Sequence, residues 1–190
     1  VSLGTINNTN LTALLDTWDL TYTPDSSVTI RSAWGDVVLS GKDAFVNRDA
    51  SSRFRLLPGT LTVTAKEDIR LASDYKFYLA PSATGQLEFI AGGDINGKTG
   101  SSSSYSNSNI IMSGADPAAV YGNQFASLQA GTDFDQLLGY GVTTPTPLHI
   151  ADDKPVLMLA GGDIANISLS SPKKTIFTAQ GDIREITYWG

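Results

Sequence analysis

One short pattern recurs along the chain and limits its possible folds more than any other feature. Ala-x-(Gly/Glu)-Asp-(Ile/Val) occurs five times, at 33–37, 65–69, 91–95, 160–164 and 179–183, and a weaker sixth copy lies at 130–134. Internal self-similarity is the sequence signature of architectures in which similar units stack on one another. We therefore expect the five copies to mark equivalent places in successive units.

The last two copies define the smallest unit, which has 19 residues between Asp163 and Asp182. They align over their whole length, so that Leu169 corresponds to Tyr188, and 172–174 separates them as a turn. Earlier copies have the form of the same unit with loops inserted.

Strand-like runs precede the copies, and the run at 60–65 alternates apolar with polar residues. Period-two alternation predicts a half-buried strand. The Gly-Asp pair then predicts a corner, because glycine tolerates positive φ and aspartate can bond its own backbone. In the first copy the alternation of Val28 and Ile30 puts Ala33 on the wrong face, so a bulge or a shifted corner is expected there.

A unit of two or three short strands cannot bury its apolar face alone, but it can when stacked on similar units about 4.8 Å away. The pattern favours an all-β fold, a right-handed parallel β-helix (a solenoid), over its alternative, a β-sandwich whose turns happen to contain Gly-Asp. We expect residues 1–190 to form a single β-helical segment of a larger protein.

An insertion at about 97–153 interrupts the pattern. Its start, 97–109, is rich in Gly, Ser and Asn and predicts a flexible loop. Short helices are expected at 116–120 and 133–138, and also near the start of the chain at 10–20. The insertion is therefore predicted to be irregular or short-helical and to bulge from the stack.

Composition excludes several classes of protein. The 190 residues include no cysteine, which removes disulfides, Cys-based zinc sites and thiol nucleophiles. A net charge of −6 argues against non-specific binding of nucleic acid. No apolar run approaches the roughly 20 residues that span a bilayer.

Several strings together resemble the repeats of filamentous-haemagglutinin-like exoproteins, a large two-partner-secretion adhesin family. They are 87–95, 147–164, 171–174 and 180–186, and the likeness covers about 28–95 and 145–190. It implies a β-helical shaft segment of a large secreted bacterial surface protein, exported by an outer-membrane partner. The Asn-Pro motifs of the family's secretion domain are missing, so an interior or C-terminal repeat segment is expected.

Candidates for catalysis or binding are few. His149 is the only histidine, so a histidine metal cluster is excluded, and a Ser-His-Asp triad would lack a Gly-x-Ser-x-Gly elbow. The corner aspartates lack calcium-binding nonapeptides and are expected to form turns. Asp152-Asp153 is expected to form a solvated turn. A carbohydrate-cleaving site would have to use Glu67, Asp68, Asp94 and Arg70, with Trp18, Trp34 or Trp189 stacking on sugars, although Trp34 beside a corner favours packing.

We therefore expect no enzyme, no catalytic residue, no cofactor and no metal, while the ligand stays unknown. The predicted role is a structural or adhesive shaft segment at the bacterial cell surface or outside the cell, with a filament of self-assembled copies as one variant. Expected partners are flanking β-helical coils or further copies, the secretion partner, and a host or cell-surface glycan or protein. A carbohydrate-binding or carbohydrate-cleaving β-helix domain is the alternative.

Overall fold

The computed structural model describes residues 2–3, 9–12, 17–20, 22–23, 25–39, 54–72, 76–99, 107–114, 149 and 151–190. Within these residues the fold is all-β and has no helix, which confirms the predicted class. A five-stranded parallel sheet contains β4 (Ser27–Ser32), β7 (Thr60–Ala65), β10 (Leu87–Ala91), β13 (Val156–Ala160) and β15 (Thr175–Ala179), which pair in that order.

The larger sheet of the described residues has nine strands, and its pairing is parallel throughout. One run contains β1 (Ser2–Leu3), β5 (Val37–Leu39), β8 (Ile69–Ala72), β11 (Ile95–Thr99) and the beginning of β14 (Ile164–Ser170). The other contains β6 (Phe54–Leu57), β9 (Lys76–Leu79), β12 (Ser108–Met112) and the end of β14. The strand β16 (Ile183–Trp189) pairs along β14.

The chain visits these three rows of strands in turn, and we call each visit a layer. The five layers start at β4, β7, β10, β13 and β15, and each stacks on the one before it in register. In the last two layers Leu169 lies opposite Tyr188, and Ala160 opposite Ala179, as the sequence alignment predicts.

Alternating side chains point into the stack and form its core. Along β7, Leu61, Val63 and Ala65 are buried while the threonines between them are half-buried. The same positions of β10 hold Leu87, Phe89 and Ala91, directly opposite those of β7. Each layer therefore covers the apolar side chains of its neighbour, and burial of this kind supplies most of the favourable free energy.

The first corner is shifted by one residue, as predicted. Ser32, rather than Ala33, lies opposite Ala65, while Val37 still lies opposite Ile69. The first corner thus contains one residue more than the second, which restores the inward alternation on both of its strands.

Two local predictions are wrong. Residues 10–20 do not form a helix, because β2 (Thr9–Thr12) and β3 (Thr17–Leu20) pair as an antiparallel hairpin. Thr9, Thr12 and Thr17 are β-branched and favour extended backbone. The loop expected at 97–109 is wrong at its two ends, which belong to β11 and β12, while 100–106 lie outside the described residues.

The helices predicted at 116–120 and 133–138, and the sixth copy at 130–134, lie outside the described residues. However, β10 pairs directly with β13, so no strand of a sixth copy lies between those two layers.

Candidate functional site

The five corner aspartates stack on one another and form what we call the corner ladder: Asp36, Asp68, Asp94, Asp163 and Asp182. The backbone N–H of Asp94 donates to Oδ1 of Asp68 at 2.8 Å, and Asp163 and Asp182 repeat this bond at 2.8 Å, each to the aspartate of the layer before. The first such bond, from Asp68 N–H to Asp36, is longer at 3.1 Å. Each carboxylate thus ties its own layer to the next one.

The glycine before the aspartate is required by space rather than by positive φ, and the sequence argument for it was wrong. A Cβ on Gly162 would lie 2.1 Å from Oδ1 of Asp94, and a Cβ on Gly181 would lie 2.2 Å from Oδ1 of Asp163. At Gly93, Gly162 and Gly181 the carboxylate of the preceding layer therefore occupies the volume that a larger residue needs. At the shifted first corner, where the bond to Asp36 is longer at 3.1 Å, Glu67 takes the same place. Positive φ occurs instead at Asn166 and Glu185, at 59° and 52°.

Two arginines neutralise part of the corner ladder. Nη2 of Arg70 lies 3.0 Å from Asp36 and 2.9 Å from Asp68, and Arg184 pairs with Asp163. Burial raises the pKa of Asp68, but the Asp94 amide and the Arg70 guanidinium outweigh that effect and hold its pKa below the ordinary value. The pKa of Asp163 is lowered by the Asp182 amide and by Arg184.

These contacts engage one or both carboxylate oxygens of Asp36, Asp68, Asp94 and Asp163. In the described part of the chain, no group of three or more acidic or histidine side chains could hold a metal ion. Asp36, Asp68, Asp94 and Asp163 therefore accept backbone amides of the following layer, whereas the sequence argument expected each aspartate to bond the backbone of its own turn.

A buried lysine makes the second polar feature of the stack. Lys173 has only 1% of its side chain exposed, and its Nζ lies 2.7 Å from Oδ2 of Asp152. It also donates to the carbonyl oxygen of Gly85 at 2.8 Å and to Oε1 of Gln86 at 2.9 Å. We call these residues, together with His149, the Lys173 cluster; it joins the turns that lead into β10, β13 and β15.

His149 completes the cluster at the return of the insertion. Its Nδ1 lies 3.3 Å from Oδ2 of Asp152, and only 1% of its side chain is exposed. Burial lowers the pKa of His149, and the positive charge of Lys173 lowers it further, against the opposing effect of Asp152. Its Nε2 is buried and has no hydrogen-bond partner. No serine of the described residues bonds to either ring nitrogen of His149.

The sequence missed this cluster, and its reading of Asp152 as part of a solvated turn is wrong. Oδ1 of Asp152 accepts from the Lys154 amide at 3.0 Å, while Oδ2 faces Lys173. These bonds, mainly those from Lys173, overcome the effect of burial and lower the pKa of Asp152. Lys173 is followed by a second lysine, Lys174, which is exposed, and nothing in the sequence shows which of the two is buried.

The residues proposed for carbohydrate cleavage do not form a pair of free carboxylates. Oδ1 of Asp68 and Oδ1 of Asp94 each accept a hydrogen bond from a backbone N–H, and Arg70 forms ion pairs with Asp36 and Asp68. Trp34 is 91% exposed, so the expectation that it packs beside the corner is wrong. Trp189 is also exposed, whereas the side chain of Trp18 lies outside the described residues.

The fifth layer presents an open end, by which we mean the outer edges of β15 and β16. Ile183 and Tyr188 are 50% and 46% exposed, although Ile164 and Leu169, which lie opposite them one layer inward, are fully buried. Among the described residues, β15 pairs only with β13, and β16 only with β14. The inward positions of this layer are therefore apolar but uncovered.

Comparison with known proteins identifies no relative. No protein-family model matches the chain, and neither a curated protein nor a solved structure matches it. The described segments contain no helix with the length and apolar character needed to cross a membrane.

Proposed function

We propose that the five layers are coils of a right-handed parallel β-helix that serves as a shaft. The support is the corner ladder, in which equivalent aspartates of consecutive layers bond one to the next. Between two neighbouring parallel strands of one sheet the chain must cross over, here through the strands of the other sheet. Such crossover connections are right-handed in nearly all proteins. A shaft of this kind gains rigidity from continuous backbone pairing.

We further propose that the shaft belongs to a large secreted bacterial surface protein, exported by an outer-membrane partner, and that its role is structural or adhesive rather than enzymatic. The support is the repeat pattern and its resemblance to filamentous-haemagglutinin-like exoproteins. Binding surfaces usually lie on loops that a rigid scaffold carries. Within the predicted insertion, residues 115–148 lie outside the described part of the chain, and His149 and Asp152 of the Lys173 cluster follow them in sequence, so the cluster would fix the base of a presented surface.

A carbohydrate-binding domain is the second candidate, and one observation favours it. Trp34 offers an almost fully exposed indole beside the first corner, and aromatic faces of this kind bind ligands by stacking. The cleaving form of this candidate has less support, because the candidate carboxylates of Asp68 and Asp94 already accept hydrogen bonds from backbone amides.

A glycan array and a reducing-sugar assay on the purified chain separate these functions. Binding without release of reducing sugar that persists in Trp34→Ala supports an adhesive shaft, whereas its loss in that variant supports the carbohydrate-binding domain with its site at the first corner. A matched Trp189→Ala variant controls for removal of an exposed tryptophan elsewhere. Release of reducing sugar would contradict the proposed non-enzymatic role.

A further inference from the structure

The open end differs from the other end of the stack. In the first layer the inward side chains of Ile30, Val37 and Leu39 are buried, and β1 covers the outer edge of β5. In the fifth layer the corresponding side chains are partly exposed, and Ile183 and Tyr188 are about half exposed. The outer edges of β4 and β6 also have no strand partner among the described residues, so the two ends differ in the burial of their side chains rather than in strand pairing.

The corner ladder also stops at the open end. Asp36, Asp68, Asp94 and Asp163 each accept an amide from the following layer, but the Asp182 carboxylate accepts no hydrogen bond within the described residues. The Asp182 carboxylate could therefore accept a backbone N–H from a layer stacked on the fifth, as the other four aspartates do from the layer after them.

We infer that the open end binds one further parallel layer of the kind formed by the third to fifth layers, (Φ/Thr)-x-Φ-x-Ala-x-Gly-Asp-(Ile/Val), where Φ is apolar. The inference deepens the proposed shaft, and it rests on the stacking part of that proposal. Continuity with the four existing layer contacts sets the register of the added strands. The Asp182 carboxylate supplies the selectivity.

The glycine of the added layer is the residue on which selection depends. At the contacts made by Gly93, Gly162 and Gly181 a Cβ would lie 2.1 to 2.2 Å from the carboxylate below. A larger residue, Glu67, takes this place only at the shifted first corner, where the N–H bond to Asp36 is longer at 3.1 Å. In the added layer the aspartate N–H would bond to Asp182, and the residue before it would lie over that carboxylate. Alanine there would collide with Asp182, so an otherwise suitable layer would be rejected.

The test appends a second copy of residues 172–190 directly after Gly190. We expect backbone amides of 175–189 to exchange with solvent at least tenfold more slowly, and the midpoint of thermal unfolding to rise by about 5 °C. Replacing the appended glycine that corresponds to Gly181 by alanine should abolish both effects. An appended layer of scrambled sequence is the matched control.

A reciprocal variant separates selection by Asp182 from simple misfolding of the added layer. Asp182→Ala removes the carboxylate, so the alanine-containing layer should again protect 175–189, and Asp182→Ala alone should unfold normally. Equal protection by the glycine and alanine layers on unchanged Asp182 would overturn the inference, as would no protection by either. Sedimentation equilibrium of the unextended chain gives a further check: a dimer that itself protects 175–189 would show that a second copy covers the end. Failed binding or export assays would not alter these exchange data, so the functional proposal can fail separately.

Discussion

Replacing Lys173 by methionine tests whether the Lys173 cluster fastens three turns together. Methionine keeps an unbranched side chain of similar length but loses contacts at 2.7, 2.8 and 2.9 Å to Asp152, Gly85 and Gln86. Removing one partner of a buried ion pair costs about 3–5 kcal/mol. Because Asp152 retains 16% of its side-chain exposure, we expect the lower end, about 3 kcal/mol.

Urea unfolding measures this loss, and the chain provides its own control. Lys174→Met changes the adjacent, exposed lysine and should alter the free energy of unfolding by no more than about 0.5 kcal/mol. Adding Asp152→Asn to Lys173→Met removes the stranded charge and keeps an acceptor for the Lys154 amide. The double variant should therefore be less destabilised than the sum of the two single variants, by about 1–2 kcal/mol. Equal effects at Lys173 and Lys174, or strict additivity, would refute the reasoning.

Three further predictions concern single positions. Gly162→Ala should displace the Asp94 carboxylate and lower the free energy of unfolding, measured in urea, by about 1.5–3 kcal/mol. The control is Gly35→Ala, whose Cβ would meet only an atom 3.8 Å away and should cost less than about 0.5 kcal/mol. Equal costs for the two variants would contradict the spacing argument. Burial lowers the folded-state pKa of His149, so the unfolded chain binds the proton first and the free energy of unfolding should fall as pH drops below about 6.5. His149→Gln should weaken that fall between pH 7.5 and 5. An unchanged slope of unfolding free energy against pH would exclude His149 as its source. Glu185 has φ of 52°, so Glu185→Gly should raise the unfolding midpoint by about 2 °C, and a lower midpoint would show that the bend carries no strain.

The sequence predicted the stacked layers because their signals are local and repeated. The alternation from Leu61 to Ala65 and the 19-residue match between the last two layers are visible without any contact information. The shifted first corner could be predicted for the same reason, since Val28 and Ile30 fix the face on which Ser32 must lie.

The polar contacts could not be predicted, because they depend on residues distant in sequence. Gly162 is explained only by Asp94, which reaches its position through the pairing of β10 with β13. Lys173 beside Lys174 has the composition of a solvated turn, and only the stack brings Asp152 and Gln86 to it. The hairpin at β2 and β3 was mistaken for a helix because a segment this short satisfies either period.

The corner ladder also has a direction. At every step the earlier layer holds the carboxylate and the later layer supplies the N–H. A completed layer therefore already carries the acceptor to which the next layer along the chain bonds. Assembly can thus advance from the amino-terminal side one layer at a time, with each closure preparing the next. If the chain emerges amino end first, each new layer can pair with the folded layer before it, and its folding does not require residues that emerge later.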